Sequence, residues 1–213
     1  MNIVIFGATG FSGRTILQKA LEANHNVTIL VRNRTSIDIQ HHNLTIIEGN
    51  VLDRSTLHQS LHNQEVIIQC LGIGGKGDGK PNTFVSDATS IILEEMKKCN
   101  VKRIIAMSNV GAGDSKSLLP WFFTKIILPY FMKWLQVIID DKNTMEQIIM
   151  RSDMDWTIVR CPNIIDVPEK VKCTATLDGK NLRLSITLGD MANFMIQQIT
   201  DSTYSRKAPS ISN

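Results

Sequence analysis

Short apolar runs rich in β-branched residues alternate along this chain with longer amphipathic segments, and this alternation restricts the possible folds more than any other feature. Such runs are typical of strands that are buried on both faces of a sheet. The segments between them, among them 15–21 and 88–98, have the apolar spacing of helices. The six strands predicted in this way are 3–6, 27–31, 44–47, 66–70, 104–107 and 156–159.

Strand–helix alternation favours right-handed crossover connections and a parallel sheet. We therefore expect an α/β protein with a Rossmann fold, in which helices cover both faces of a doubly wound, mostly parallel sheet. A chain of 213 residues without internal repeats or a linker suits one such unit. The predicted domain is a single one over residues 1–213.

The composition excludes several classes of protein. Hydrophobic residues make up 43% and charged residues 20% of the chain, and the formal net charge is +3, which is too small and dispersed to predict nucleic-acid binding. The cysteines are scattered without a paired motif, so we predict no metal site and expect free thiols in a reducing cytoplasm. The N-terminus lacks a basic region before its apolar residues, so we expect no signal peptide. The four cysteines are Cys70, Cys99, Cys161 and Cys173.

Three glycines follow the first predicted strand and open the first helix. Gly7 permits a tight turn, Gly10 allows the backbone to approach a pyrophosphate, and Gly13 allows close packing of helix on strand. The helix N-terminus offers amide groups and a partial positive charge to phosphates. This context predicts a dinucleotide site. The residues that we expect to contact the dinucleotide here are Gly7, Thr9, Gly10, Phe11, Ser12 and Gly13.

The Gly-Ala-Thr-Gly phrase at 7–10 resembles the atypical short-chain dehydrogenases, and the resemblance extends along nearly the whole chain. The turn at 50–53 resembles the adenine-contact turn of that family, Cys70-Leu71-Gly72 the end of its fourth strand, and 155–162 its sixth strand. The stretch 176–179 with Asp190 is most similar to the biliverdin-IXβ reductase and flavin reductase branch. The resemblance implies cofactor contacts at Val51, Asp53, Leu71, Gly72 and Pro162.

The residues after the second strand indicate which dinucleotide is bound. An acidic residue there prefers the ribose hydroxyl of NAD, whereas arginine accommodates the 2′-phosphate of NADP. The chain places Arg32 and Arg34 at this point, with Arg14 expected nearby and no acidic residue before Asp38. We therefore predict NADP(H) as the cofactor. Arg14 and Arg34 have the alternative of being solvated surface charges.

The catalytic residues of short-chain dehydrogenases are a serine and a Tyr-x-x-x-Lys pair. Ser108 closes the fifth strand, and Lys142 resembles the family lysine, but Ile138 stands where the tyrosine is expected. Tyr130 and Lys133 have the wrong spacing. We predict Ser108 and Lys142 as the catalytic residues, with a hydrogen-bonded strand serine and a solvated helix lysine as the alternatives.

The missing tyrosine counts against alcohol chemistry but permits hydride transfer to a flat conjugated acceptor such as a flavin, a quinone or a biliverdin-like tetrapyrrole, where solvent supplies the proton. The expected function is therefore that of an NADPH-dependent reductase with a small-molecule acceptor, without a nucleic-acid partner, as a monomer or weak homo-oligomer. The alternative is a dinucleotide-sensing regulator that resembles NmrA-like proteins and lacks catalysis.

Two further segments carry separate predictions. The apolar stretch 118–139 contains prolines and lysines that argue against a membrane span, which leaves an acceptor platform, a lid, an oligomer contact or ordinary core. In the stretch 173–187, Asp178-Gly179 between strand-like runs predicts a β-hairpin. A final helix at 190–199 and a polar tail follow.

Overall fold

The computed structural model describes residues 1–74 and 79–213. The predicted α/β Rossmann fold is confirmed: eight strands form one sheet in the order β3-β2-β1-β4-β5-β6-β10-β8, in which all pairs are parallel except β10 with β8. The strands are β1 Asn2–Phe6, β2 Asn26–Val31, β3 Leu44–Glu48, β4 Val66–Gln69, β5 Arg103–Asn109, β6 Asp155–Cys161, β7 Asn163–Ile165, β8 Thr174–Thr176, β9 Ser185–Thr187 and β10 Ser210–Ser212. The α-helices are α1 Phe11–Glu22, α2 Arg54–Leu61, α3 Phe84–Lys98, α4 Lys133–Met150 and α5 Leu188–Gln197.

Helices cover both faces of the sheet, as the side chains of β1 show. Ile3 and Ile5 pack in the core under α1 and α5, while Val4 and Phe6 pack in the core under α2, α3 and α4. Successive side chains of a strand point to opposite faces, and each of these four is at most 1% exposed. Because helices cover both faces, only the strand ends stay accessible. In such sheets ligands bind beyond the carboxyl ends of the strands, which we call the carboxyl edge.

Strand β3 differs from the prediction. None of its residues is fully buried, because β3 lies at the edge of the sheet and has a neighbour on one side only. Leu44 and Ile46 are therefore only partly covered.

The predicted hairpin at Asp178-Gly179 is wrong. Strand β8 before this turn pairs with β10, and β9 after it pairs in parallel with β7 in a separate two-stranded sheet. The dipeptide does form a turn, with Gly179 at φ +78°, but residues 182–184 do not form a strand. The two flanking strands do not pair with each other, because β8 pairs with β10 and β9 pairs with β7, both of which lie farther away in the sequence.

The polar tail also differs from the prediction, since it contains β10, which is inserted between β6 and β8. Ile211 is fully buried, and the serines on either side of it are buried too. The Ser212 hydroxyl accepts a hydrogen bond from the backbone N–H of Arg183 at 2.9 Å. This strand escapes detection because one apolar residue between two serines shows no periodicity.

The apolar stretch 118–139 is not ordinary core. It begins at the last residue of a 3₁₀ turn, Gly113–Leu118, and contains a π-helix, Phe123–Phe131, and the start of α4. Leu128 packs against Ala112 and Ile139, but Tyr130 and Phe131 are more than 70% exposed. Over residues 1–74 and 79–213, every helix is too short or too polar to cross a membrane.

Candidate functional site

The glycine loop between β1 and α1 has the geometry that a dinucleotide requires. Gly7 adopts φ +91°, and a Cβ atom there would lie 2.6 Å from the carbonyl oxygen of Cys70. A Cβ atom on Gly13 would lie 2.0 Å from the carbonyl oxygen of Gly7. Both positions therefore exclude any other residue, and the close packing holds α1 against the ends of β1 and β4.

The start of α1 remains open. Gly10 is the N-cap residue in extended conformation, no side chain caps the helix, and its first turn carries no acidic residue. A Cβ atom on Gly10 would contact only the Gly7 carbonyl oxygen, at 3.4 Å. Thr9, Gly10 and Phe11 are exposed, whereas Ser12 is buried beneath them. Uncapped amides at a helix N-terminus bind phosphate, so this loop fits the pyrophosphate of a dinucleotide.

The three arginines near the end of β2 have different surroundings. Arg32 follows β2 directly and is exposed, and in the described part of the chain its side chain has neither a hydrogen bond nor an ion pair. Arg14 forms an ion pair with Asp38 at 3.2 Å and donates to the carbonyl oxygen of Ser36 at 2.6 Å. Arg34 donates to the carbonyl oxygen of Ile46 at 3.4 Å. Of the three, Arg32 is the one without a partner in the described part of the chain, which suits it to a 2′-phosphate. The contact of Arg34 with the cofactor stays a prediction, since Arg34 is exposed and uses one donor on the chain.

The turn after β3 contains two residues expected at the adenine. Val51 is buried in the core under α2. The carboxylate of Asp53 caps α2, since it accepts hydrogen bonds from the Ser55 N–H and the Thr56 hydroxyl, both at 3.1 Å. These hydrogen bonds lower the pKa of Asp53. The carboxylate of Asp53 is therefore occupied in capping α2, so a ligand in this turn would contact the backbone rather than this side chain.

Lys142 lies at the centre of the candidate site. From α4 its ammonium group reaches the carboxyl ends of two strands, where it donates to the carbonyl oxygens of Leu71 at 2.9 Å and Met107 at 2.8 Å. Burial lowers the pKa of Lys142 to about 8, against the opposing effect of nearby acidic groups that include Asp141. The alternative of a solvated helix lysine is wrong, because Lys142 is only 3% exposed.

Ser108 lies near the end of β5, directly after Met107, whose carbonyl oxygen accepts the hydrogen bond from Lys142. It is 1% exposed, and its hydroxyl has no hydrogen-bond partner among the described residues. The alternative of a serine that bonds the backbone is therefore wrong. A buried hydroxyl without a partner loses the hydrogen bonds that water would give it, so Ser108 is a group that a ligand can satisfy.

Two supporting interactions escaped the sequence analysis. Asp141 accepts hydrogen bonds from the backbone N–H groups of Val85 and Ser86 at 2.9 and 3.0 Å, and thereby caps α3. Arg160, which is opposite Ser108 in the β5–β6 register, pairs with Glu146 at 2.7 Å and Asp114 at 2.5 Å. The one available signal was an arginine directly after the predicted strand 156–159, since a buried charge needs a partner.

The position expected for a tyrosine holds Ile138, one turn before Lys142. Both residues line a cavity of about 20 Å³, room for about one water molecule, together with Gly72 and Val85. Tyr130 lies on the π-helix and is 78% exposed. The other tyrosine, Tyr204, accepts through its carbonyl oxygen from Thr157 in the first half of β6, away from the carboxyl edge.

The remaining predicted residues lie at the same edge of the sheet. Gly72 is exposed two residues past Cys70, with no atom within 4 Å of a Cβ atom built on it. Pro162 follows the last residue of β6 and is partly exposed. The glycine loop, Arg32 and Gly72 therefore follow the neighbouring strands β1, β2 and β4, and Ser108 lies near the carboxyl end of the next strand, β5. Lys142 reaches the same place from α4, so all of these groups lie where a dinucleotide binds in such a sheet.

Known proteins are similar to this chain in sequence or in fold. Ycf39 of Synechocystis, a photosystem II assembly factor, is 20% identical over 216 residues, which cover 97% of this chain and 61% of that protein. This chain thus spans less than two thirds of the length of that relative. ChuY of Escherichia coli O157:H7, described as an anaerobillin reductase, superposes with a TM-score of 0.79 at 18% identity, over 100% of this chain and 97% of ChuY.

A short-chain dehydrogenase/reductase of Veillonella parvula, solved in complex with NADP, superposes with a TM-score of 0.77 at 19% identity, over 100% of this chain and 94% of that one. The sequence profile of one family, described as NAD(P)H-binding, matches residues 7–202. The predicted nicotinamide dinucleotide is thereby confirmed, while the branch within the family stays a prediction. The chain belongs to the NAD(P)H-binding family.

Proposed function

We propose that this protein is an NADPH-dependent oxidoreductase that transfers a hydride to a flat conjugated acceptor such as a flavin, a quinone or a biliverdin-like tetrapyrrole. One observation carries the proposal: Lys142 is buried at the site, but the residue one turn before it is Ile138. An alcohol dehydrogenase would need a tyrosine there to relay a proton. An acceptor with a conjugated ring system delocalises the incoming charge and takes its proton from solvent. The reductase with a similar fold, ChuY, supports this class of reaction.

The residues of the site have separable roles in this proposal. The bound nicotinamide supplies the hydride. Ser108 offers an unpaired hydroxyl to the cofactor or the acceptor, and Lys142 holds the ends of β4 and β5 together through two carbonyl oxygens. Catalysis then depends mainly on holding the two rings against each other. Arg32 selects NADPH over NADH through its free guanidinium.

A steady-state assay of NADPH oxidation tests the proposal. The acceptors are FMN, FAD and a simple quinone, and a simple secondary alcohol with NADP⁺ is the comparison substrate. We expect reduction of at least one flat acceptor and no oxidation of the alcohol. Ser108→Ala should lower turnover by about ten- to a hundred-fold, less than removal of a general acid or base often costs. Robust alcohol oxidation would show that another proton donor, such as Tyr130, serves the site.

A dinucleotide-sensing regulator is the second candidate, because Ycf39 is described as an assembly factor and not as an enzyme. Tight NADPH binding without turnover of any flat acceptor would favour it. Cytoplasmic localisation and a monomer or weak homo-oligomer stay predictions. The four free cysteines agree with a reducing compartment.

A further inference from the structure

We propose that an exposed aromatic face, formed by the π-helix and the two residues before it, docks this protein onto an anionic lipid surface. Five apolar side chains of the segment are exposed by 42–78%, and large exposed apolar patches mark interaction sites. We call them the aromatic face: Trp121, Phe122, Ile126, Tyr130 and Phe131.

The backbone of the segment aligns these side chains. Trp121, Ile126 and Phe131 are spaced five residues apart, and a π-helix joins residues at this separation by its hydrogen bonds. The opposite side of the segment is anchored, since Leu128 and Phe123 pack against a small core with Ala112. The segment therefore presents one apolar side to the protein and a second to the surroundings.

The charges around the aromatic face are positive. Residues 115–139 contain three lysines and no acidic residue, and Lys116, Lys125 and Lys133 are exposed. The acidic groups at its borders have partners: Asp114 pairs with Arg160, Asp140 accepts from Gln136, and Asp178, in the turn that approaches Leu118, pairs with Lys180. An anionic partner is therefore favoured over a neutral or cationic one.

The residue types favour lipid over protein as that partner. Tryptophan, tyrosine and phenylalanine flanked by lysine suit the boundary between headgroups and acyl chains. Five side chains also fall short of the roughly 20–30 residues that each side of a stable protein interface contributes. Since no described helix can span a bilayer, the segment would lie in the interface. It joins β5 to α4, so docking would bring the edge of the sheet that carries Ser108 toward the lipid.

Sedimentation with lipid vesicles tests the proposal. The full chain is mixed with vesicles of phosphatidylcholine alone or with added phosphatidylglycerol, at low and high salt. We expect binding that requires phosphatidylglycerol and weakens with salt. The double variants Trp121→Ser/Phe131→Ser and Lys125→Glu/Lys133→Glu should each reduce binding by about ten-fold or more.

A matched control reverses the charge of two lysines at the amino ends of the strands, opposite the carboxyl ends that form the site. Lys102 precedes β5 and Lys207 precedes β10, and both are exposed. Lys102→Glu/Lys207→Glu should bind like the natural protein, and NADPH binding verifies that every variant is folded. Equal loss in the control, binding without anionic lipid, or no vesicle binding at all would overturn the proposal. Self-association of the protein in sedimentation velocity without vesicle binding would show instead that a second copy covers the face.

Discussion

At the scale of single residues, the proposed preference for NADPH over NADH depends on the guanidinium of Arg32, which has no partner among the described residues. Because Arg14 and Arg34 already have partners, Arg32→Ala should remove most of the preference for NADPH. A hydrogen bond to a charged group contributes about 1.5–3 kcal/mol, so the ratio of NADPH to NADH affinity should fall by about ten-fold or more. Fluorescence titration measures it, with Arg151→Ala as the control, since Arg151 is exposed at the end of α4, just before the start of β6. An unchanged ratio in Arg32→Ala would remove the argument for NADPH.

Lys142 gives a second residue-scale prediction, on stability and pH. Its folded pKa of about 8 lies below the ordinary lysine value of 10.5, so the unfolded chain binds more protons between these two values. Stability should therefore rise with pH from about 8 to 10.5, and this gain should be absent in Lys142→Met. The full difference is about 3 kcal/mol. Urea unfolding over roughly pH 7.5–10 measures this rise in stability. The control variant Lys102→Met, which changes an exposed lysine, should show the same rise as the natural protein.

At the scale of elements, the two glycines of the α1 turn separate binding from folding. A Cβ atom on Gly10 would make only an ordinary contact with the Gly7 carbonyl oxygen, at 3.4 Å, so Gly10→Val should abolish NADPH binding while the protein stays folded. Gly13 has no such room, because a Cβ atom would meet the Gly7 carbonyl oxygen at 2.0 Å, so Gly13→Ala should lower the melting temperature. Thermal melts and NADPH titration of both variants test the pair. A folded Gly10→Val protein that binds NADPH normally would refute the role of this loop.

The α4–α3 contact is also an element-scale feature. Asp141→Ala removes the cap from α3 and should cost about 1–2 kcal/mol of folding free energy, whereas Asp140→Ala on the exposed side of α4 should cost less than about 0.5 kcal/mol. Urea unfolding measures both. Equal losses in the two variants would mean that the hydrogen bonds to Val85 and Ser86 contribute nothing beyond a surface interaction.

The elements also show what the sequence can predict. Strands β1 and β4 are buried on both faces, so their continuous apolar runs identify them as strands from the local sequence alone. Strand β10 cannot be identified in this way, because it forms only by pairing with β6 and β8, which are distant in the chain. At the site, Ser108 and Lys142 were predicted by resemblance to a family. The cap from Asp141 to α3 was missed, since an aspartate on a helix carries no local sign of a partner 55 residues away.

At the scale of the whole molecule, the parallel sheet gathers the glycine loop, Arg32, Ser108 and Lys142 at one edge, although they are far apart in the chain. The central claim is that this edge transfers a hydride from NADPH to a flat acceptor without a tyrosine relay. A single-turnover reaction with NADPH deuterated at C4, under anaerobic conditions and with the flat acceptor that steady-state assays favour, tests this claim most directly. We predict that deuterium on one face of C4 slows the reaction and is absent from the NADP⁺ that forms, and that Tyr130→Phe reacts at the natural rate. NADPH that binds but keeps its deuterium with every flat acceptor would contradict the account.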